Sequence, residues 1–128
     1  MRKHLADKIC ALYELYGQRG TSASTRYRDL ADIVRIVAAV PFEAARLATV
    51  LDREARRRRM ILPNSLEAPS PEWATRFPAA AAGFAEYPRS YRDLTAALAF
   101  AGACLNDVLS ASRASGRWNP MLRTWQPH

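Results

Sequence analysis

Apolar residues recur along this chain at every third or fourth position, and no segment alternates apolar with polar residues convincingly enough to be a central strand. Such spacing turns one side of a helix inward. The pattern therefore points to a mainly α fold, a small helical domain of about five helices. Leu5, Ile9, Leu12 and Tyr16 are spaced four, three and four apart, which predicts a helix over residues 2 to 16, closed by Gly17 and Gly20. Ser24 or Thr25 can cap the next helix, whose row of Leu30, Ile33, Val34 and Val37 carries it to about residue 39.

"VPFEAARLATVLDREARRRR" begins a third helix with Pro41 in its first turn, where the missing N–H has no intrahelical partner to lose. Ala44, Leu47, Ala48, Leu51 and Ala55 form its apolar face. "LPNSLEAPSPEW" carries Pro63, Pro69 and Pro71 among Asn and Ser, and predicts a semi-extended connection over the surface. Ser70, Pro71 and Glu72 mark another helix start, and Pro78 is expected to interrupt or restart the helix through "EWATRFPAAAAGF". Beyond Pro88, Leu94, Leu98, Ala101 and Leu105 fall on one side of a long helix. The ending "GRWNPMLRTWQPH" is expected to be irregular, with Trp118 and Trp125 covering an apolar patch.

At 128 residues, 49% of them apolar, one domain spanning 1-128 is expected, with a modest core. No run of about 18 apolar residues is available to cross a bilayer, and "MRKHLADKIC" lacks the apolar stretch of a secretory signal. A soluble, cytoplasmic protein with no membrane partner is the expectation. Cys10 and Cys104 each sit within an apolar helical pattern with no metal-ligand spacing nearby, and read as buried thiols. His4 and His128 lie near the termini and read as incidental.

The net charge of +7 is carried almost wholly by arginine, since Lys3 and Lys8 are the only lysines. A positive field attracts phosphates, which makes a nucleotide or nucleic acid a plausible partner. Lys8 lies between Leu5 and Ile9, where its stem can pack beside the buried stripe while its ammonium reaches a cleft. A compact point charge there suits a polyphosphate oxygen, though a chance exposed lysine fits the same fact. "TRYRDLADI" sets Asp29 and Asp32 three residues apart among Arg26, Arg28 and Arg35. Carboxylates in a first helical turn are favoured by the helix dipole alone. A carboxylate beside guanidinium groups also stays ionised, able to hold a metal or to take a proton from an attacking hydroxyl. The run Arg56, Arg57, Arg58 and Arg59 suits a solvated helix C-terminus, or contact with RNA phosphates.

"HLADKICALYE" followed by "STRYRDLADIVRI" resembles the C-terminal pair of motifs in the AbiEii-type nucleotidyltransferase toxins of type IV toxin–antitoxin systems. The short Gly-containing gap between the motifs matches as well, and the later Trp73, Tyr91 and "WNP" ending are similar to that family's tail. The resemblance implies that Lys8 and Asp29 are active-site residues, with Arg26, Arg28 and Asp32 completing a nucleotide-binding motif. Arg28 stands where family members often carry lysine, which keeps the charge and changes the geometry. The resemblance also implies an NTP substrate, Mg²⁺, transfer of nucleotides to tRNA, and an antitoxin partner.

Family enzymes open with an α/β domain bearing a Gly-Ser pair and then Asp-x-Asp, whose carboxylates hold the Mg²⁺ ions. No Gly-Ser pair occurs in this sequence, and Asp29 and Asp32 belong to the later motif. The expectation is thus the C-terminal, helical portion of such a toxin, without metal ligands of its own and nearly inactive alone. A separate N-terminal half would complete the site, and the apolar surface left by that half could drive self-association. The alternative is a non-catalytic helical module that binds RNA or protein, through the four-arginine run in the RNA case.

Overall fold

Helix α2 (Tyr27–Ala39) is apolar on most of its circumference, and the fold is built around it. Leu30, Ala31, Ile33, Val34 and Val37 are each no more than 1% exposed, so neighbours must cover it on several sides. Helix α1 (Arg2–Tyr13), helix α4 (Trp73–Ala82) and helix α5 (Leu94–Leu109) do so, and helix α3 (Ala44–Arg57) packs against α1. The computed structural model describes residues 2–14, 25–84 and 87–127. Among these, five α-helices, a 3₁₀ turn at Arg89–Tyr91 and three short strands make a mainly helical fold, as the apolar spacing predicts. No helix of the described residues is long and apolar enough to cross a membrane.

Strands β1 (Phe42–Glu43), β2 (Arg117–Asn119) and β3 (Thr124–Gln126) form an antiparallel sheet in that order. Phe42 stands opposite Trp118, and Trp118 opposite Trp125. The ending of the chain is therefore a hairpin rather than irregular. Asn119 builds its turn, the side-chain Oδ1 accepting from the backbone N–H groups of Met121 and Leu122, 3.0 Å each. Trp118 is wholly buried and donates from Nε1 to the Val37 carbonyl at 2.9 Å, and Trp125 donates to the Cys104 carbonyl at 3.0 Å. The two indoles meet edge to face, 5.7 Å between centroids. The hairpin thus anchors the end of α2 to α5.

Several helix boundaries differ from expectation. Helix α1 ends at Tyr13, while Tyr16, Gly17, Gly20 and Ser24 lie outside the described residues. Thr25 gives no side-chain cap to α2, whose N-cap is Arg26. Pro41 precedes the third helix instead of opening it, because Phe42 and Glu43 are drawn into the sheet and α3 starts at Ala44. The first free amide of α3, that of Ala44, donates to the Gly116 carbonyl at 2.9 Å. Gly116 has φ +121°, and a Cβ there would meet the Gln126 carbonyl at 3.2 Å, so the approach needs glycine.

Helix α4 runs straight through Pro78, contrary to the expected break. An interior proline costs about 3 kcal/mol. Trp73, Phe77 and Ala81, four residues apart and fully buried, supply the offset, since each large apolar side chain buried gains about 1.5–3 kcal/mol. The proline-rich connection is pinned: Leu66 donates its N–H to Asn106 Oδ1 (2.7 Å), and the Tyr13 hydroxyl donates to the Glu67 carbonyl (2.8 Å). Leu94, Ala101 and Leu105 of the expected α5 face are buried, and the Asp93 side chain caps this helix by accepting from the Ala96 N–H at 3.1 Å.

Candidate active site

Two buried rows fix the position of Lys8. On α1, Leu5, Ile9 and Leu12 are at most 1% exposed and seat the helix against α2. On α2, Leu30 and Ile33 do the same from the other side. Lys8 and the pair Asp29 and Asp32 flank these rows, so packing the helices presses the ammonium between the two carboxylates. Lys8 Nζ lies 3.3 Å from Asp29 Oδ1 and 2.9 Å from Asp32 Oδ2. Arg26 Nε donates to Asp29 Oδ2 at 2.6 Å, and Arg35 Nη1 stands 3.5 Å from Asp32 Oδ1. The charges alternate along one line: Arg26, Asp29, Lys8, Asp32, Arg35.

Partial burial disfavours the charged form of Lys8, but hydrogen bonds and charge from Asp32 and Asp29 outweigh it, and the pKa rises above the ordinary lysine value. Lys8 is thus an ammonium at neutral pH, a charge donor rather than a base. Two of its three N–H donors face carboxylates, which leaves one for a ligand.

A cleft of about 560 Å³ opens beside this line. Lys8, Arg26 and Asp29 form one side, and Arg57 and Arg58 another, with Asp7 and Glu14 between. The four-arginine run is accordingly not one surface. Arg56 pairs with Asp52 at 3.0 Å, and Arg57 pairs closely with Glu54. Arg58 turns inward and grips Glu54 (2.9 Å), Glu14 (2.5 Å) and Asp7 (3.7 Å). Arg59 is exposed, with φ 55° at the helix end. Hydrogen bonds from Arg57 and Arg58 to the buried Glu54 carboxylate hold its pKa down to about 2. Sequence reasoning missed Glu54, Glu14 and Asp7, although Glu54 stands four residues before Arg58, the spacing at which helical ion pairs form.

Arg28 is not in the charge line. Its guanidinium lies over the Phe84 ring, 5.7 Å from the centroid. His4, one helical turn before Lys8, lines the same cleft as Lys8 despite its incidental look in the sequence. Both cysteines are buried and free. Burial pushes the Cys10 thiol up to about 11 and raises Cys104 as well, so neither is a ready thiolate.

Among the described residues no group of three His, Cys, Asp or Glu side chains is arranged to hold a metal ion. Asp29 and Asp32 already face Lys8, Arg26 and Arg35. The carboxylates present here do not fit a Mg²⁺ site.

The helical core thus presents an ammonium between two carboxylates, with guanidinium groups across a cleft that Asp7 and Glu14 also line. The model of one family, described as nucleotidyl transferase AbiEii toxin, type IV TA system, matches residues 2–102. The chain belongs to that family, a family of nucleotidyltransferase toxins, and membership implies an antitoxin partner. No curated protein and no solved structure matches it.

Proposed function

We propose that this chain is the C-terminal, helical part of a nucleotidyltransferase toxin, acting in the cytoplasm, and that Lys8 and Asp29 form one wall of a composite active site. The reaction is transfer of a nucleotide from an NTP to the end of an RNA, tRNA being the acceptor in view. An acceptor hydroxyl oxygen bonds to the α-phosphorus as its proton passes to solvent, the bond to pyrophosphate breaks, and pyrophosphate leaves with the bonding electron pair. The observation that carries this reading is the Lys8 ammonium held between Asp29 and Asp32 at the edge of a cleft that Arg26, Arg57 and Arg58 also line. Its free donor binds phosphate oxygens, and Arg26 adds a second positive charge beside Asp29. Asp29 and Asp32 fix the ammonium in place before substrate arrives.

The Mg²⁺ of such a reaction has its ligands, on this reading, in a separate N-terminal half, since the carboxylates described here are committed to cations. The domain 1-128 alone is then nearly inactive, because one lost preorganised contact already costs about 10²-fold. Mixing the chain with an α/β nucleotidyltransferase half and following labelled NTP into tRNA tests the proposal. Incorporation that needs both pieces, and falls with Lys8→Ala and Asp29→Ala, is the expected result. Undiminished incorporation in the double variant would refute the site. The alternative, a module that binds RNA through the arginine run, needs the four side chains on one surface, and they diverge: Arg58 turns inward to Glu14 and Glu54 while Arg56 and Arg59 are exposed.

A further inference from the structure

A second cleft, about 480 Å³, adjoins the charge line on the other side of Lys8. Its character is different. Beyond Lys8, His4, Asp32 and Arg35 its wall is apolar: Ile36, Ala38, Ala39 and Val40 from the end of α2 and the residue after it, together with Pro88. Lys8 and His4 line both clefts, so the two meet at the ammonium. Helix α2 is the shared floor. Asp29, Asp32, Ile36 and Ala39 are spaced three, four and three residues apart, which sets them in one strip along the helix. At 1.5 Å per residue that strip is about 15 Å long, comparable to an extended nucleoside triphosphate.

The strip changes chemistry along its length. The Asp29 end is charged: Lys8, Arg26, Arg57 and Arg58 line it together with Asp7, Glu14 and Asp29, so phosphates there would meet the cations at Lys8 and Arg26. The Ala39 end is apolar and closes with the last carbonyls of α2. Ile36 O accepts from the Val40 N–H and Val37 O from Trp118, while Ala38 and Ala39 carbonyls have no donor among the described residues. A volume of this size lies within the range of small-molecule sites, roughly 300–1,000 Å³, which combine apolar walls with a few polar groups.

We propose that the apolar cleft bounded by Ile36, Ala39, Val40 and Pro88 is a nucleoside subsite, taking base and ribose while the attached phosphates lie against Lys8 and Arg26. This rests on the phosphate role given to Lys8 above. The base packs on the α2 end, beside Ala38 and Ala39. Lys8 marks the junction of the two parts of the ligand.

Calorimetric titration of the full chain with inorganic tripolyphosphate, and with each of the four ribonucleoside triphosphates, tests the idea. At least one nucleotide should bind about tenfold or more tighter than tripolyphosphate. Ala39→Trp, at an exposed position that leaves the core untouched, should remove that excess and leave tripolyphosphate affinity within about twofold. Ala38→Leu, a smaller intrusion, should reduce the excess partially, and unfolding midpoints show whether both variants fold. Lys8→Ala should weaken both ligands. Tripolyphosphate binding with no nucleotide excess, or an excess that survives both cleft variants, would overturn the subsite alone. No binding of either ligand by the wild type would overturn the phosphate role of Lys8, and the subsite with it.

Discussion

Lys8 Nζ stands 2.9 Å from Asp32 Oδ2, although 24 positions separate the two residues along the chain. The contact exists because α1 and α2 pack through Leu5, Ile9, Leu30 and Ile33, and it is shared with Asp29 at 3.3 Å. Removing the ammonium leaves Asp29, whose side chain is 10% exposed, with Arg26 as its remaining ion-pair partner. Lys8→Ala should therefore lower stability by about 1–3 kcal/mol, the range for a partly buried charged hydrogen bond. Urea unfolding measures this. The double variant Lys8→Ala with Asp29→Asn should lose less than the sum of the single changes, because the two groups share one interaction.

Glu54 supplies the sharpest pH dependence. Its folded pKa of about 2 lies below the ordinary 4.5. The contribution of this group is complete above about pH 4.5, and falls away as pH drops from there toward 2. Urea midpoints taken from pH 6 to pH 3 should decline more steeply for the wild type than for Glu54→Gln. The variant should already be weaker at pH 7, since Arg58 then loses its central anchor between α1 and α3. Parallel declines would show that Glu54 is not the acid-labile contact.

Trp118→Phe should separate hydrogen bonding from burial. Phenylalanine retains much of the apolar contact and removes the Nε1 donor, leaving the buried Val37 carbonyl without that partner. A loss of about 1–3 kcal/mol is expected by thermal or chemical unfolding. Amide exchange should also quicken near Val37 and Val40, at the end of α2.

Arg59 occupies the left-handed region, φ 55°, in the place usually held by glycine after a helix. Its N–H donates to Arg56 O, and the next amide, Met60 N–H, donates to Ala55 O. Arg59→Gly keeps this closure and relieves about 1 kcal/mol of backbone strain. The melting temperature should rise by a few degrees. An RNA-binding role for the run predicts the reverse balance: weaker, less salt-dependent RNA retention in the same variant.

Helix spacing and the buried cysteines were legible because each depends on periodicity or on residue type at a fixed position, whereas the link between Lys8 and Asp29 came from the family resemblance. The sheet was not. Its strands are two or three residues long, too short for alternation to register, and they pair across 76 positions from Phe42 to Trp118. Pro78 was misjudged because tertiary burial of Trp73 and Phe77 outweighs a local penalty that sequence displays and burial conceals. The arginine run looked uniform because all four residues share one charge. Only the helix geometry reveals that Arg58 points back toward α1 while Arg59 faces water.

The central claim is that Lys8, held by Asp29 and Asp32, receives the phosphates of a nucleotide. Two-dimensional amide spectra of isotopically labelled chain, titrated with ATP, test it most directly. The account predicts saturable shifts concentrated at His4 to Lys8 and along Arg26 to Ala39, lost in Lys8→Ala while that variant keeps its folded dispersion. Shifts spread evenly over the arginine-rich surface, or an unchanged response in Lys8→Ala, would contradict it.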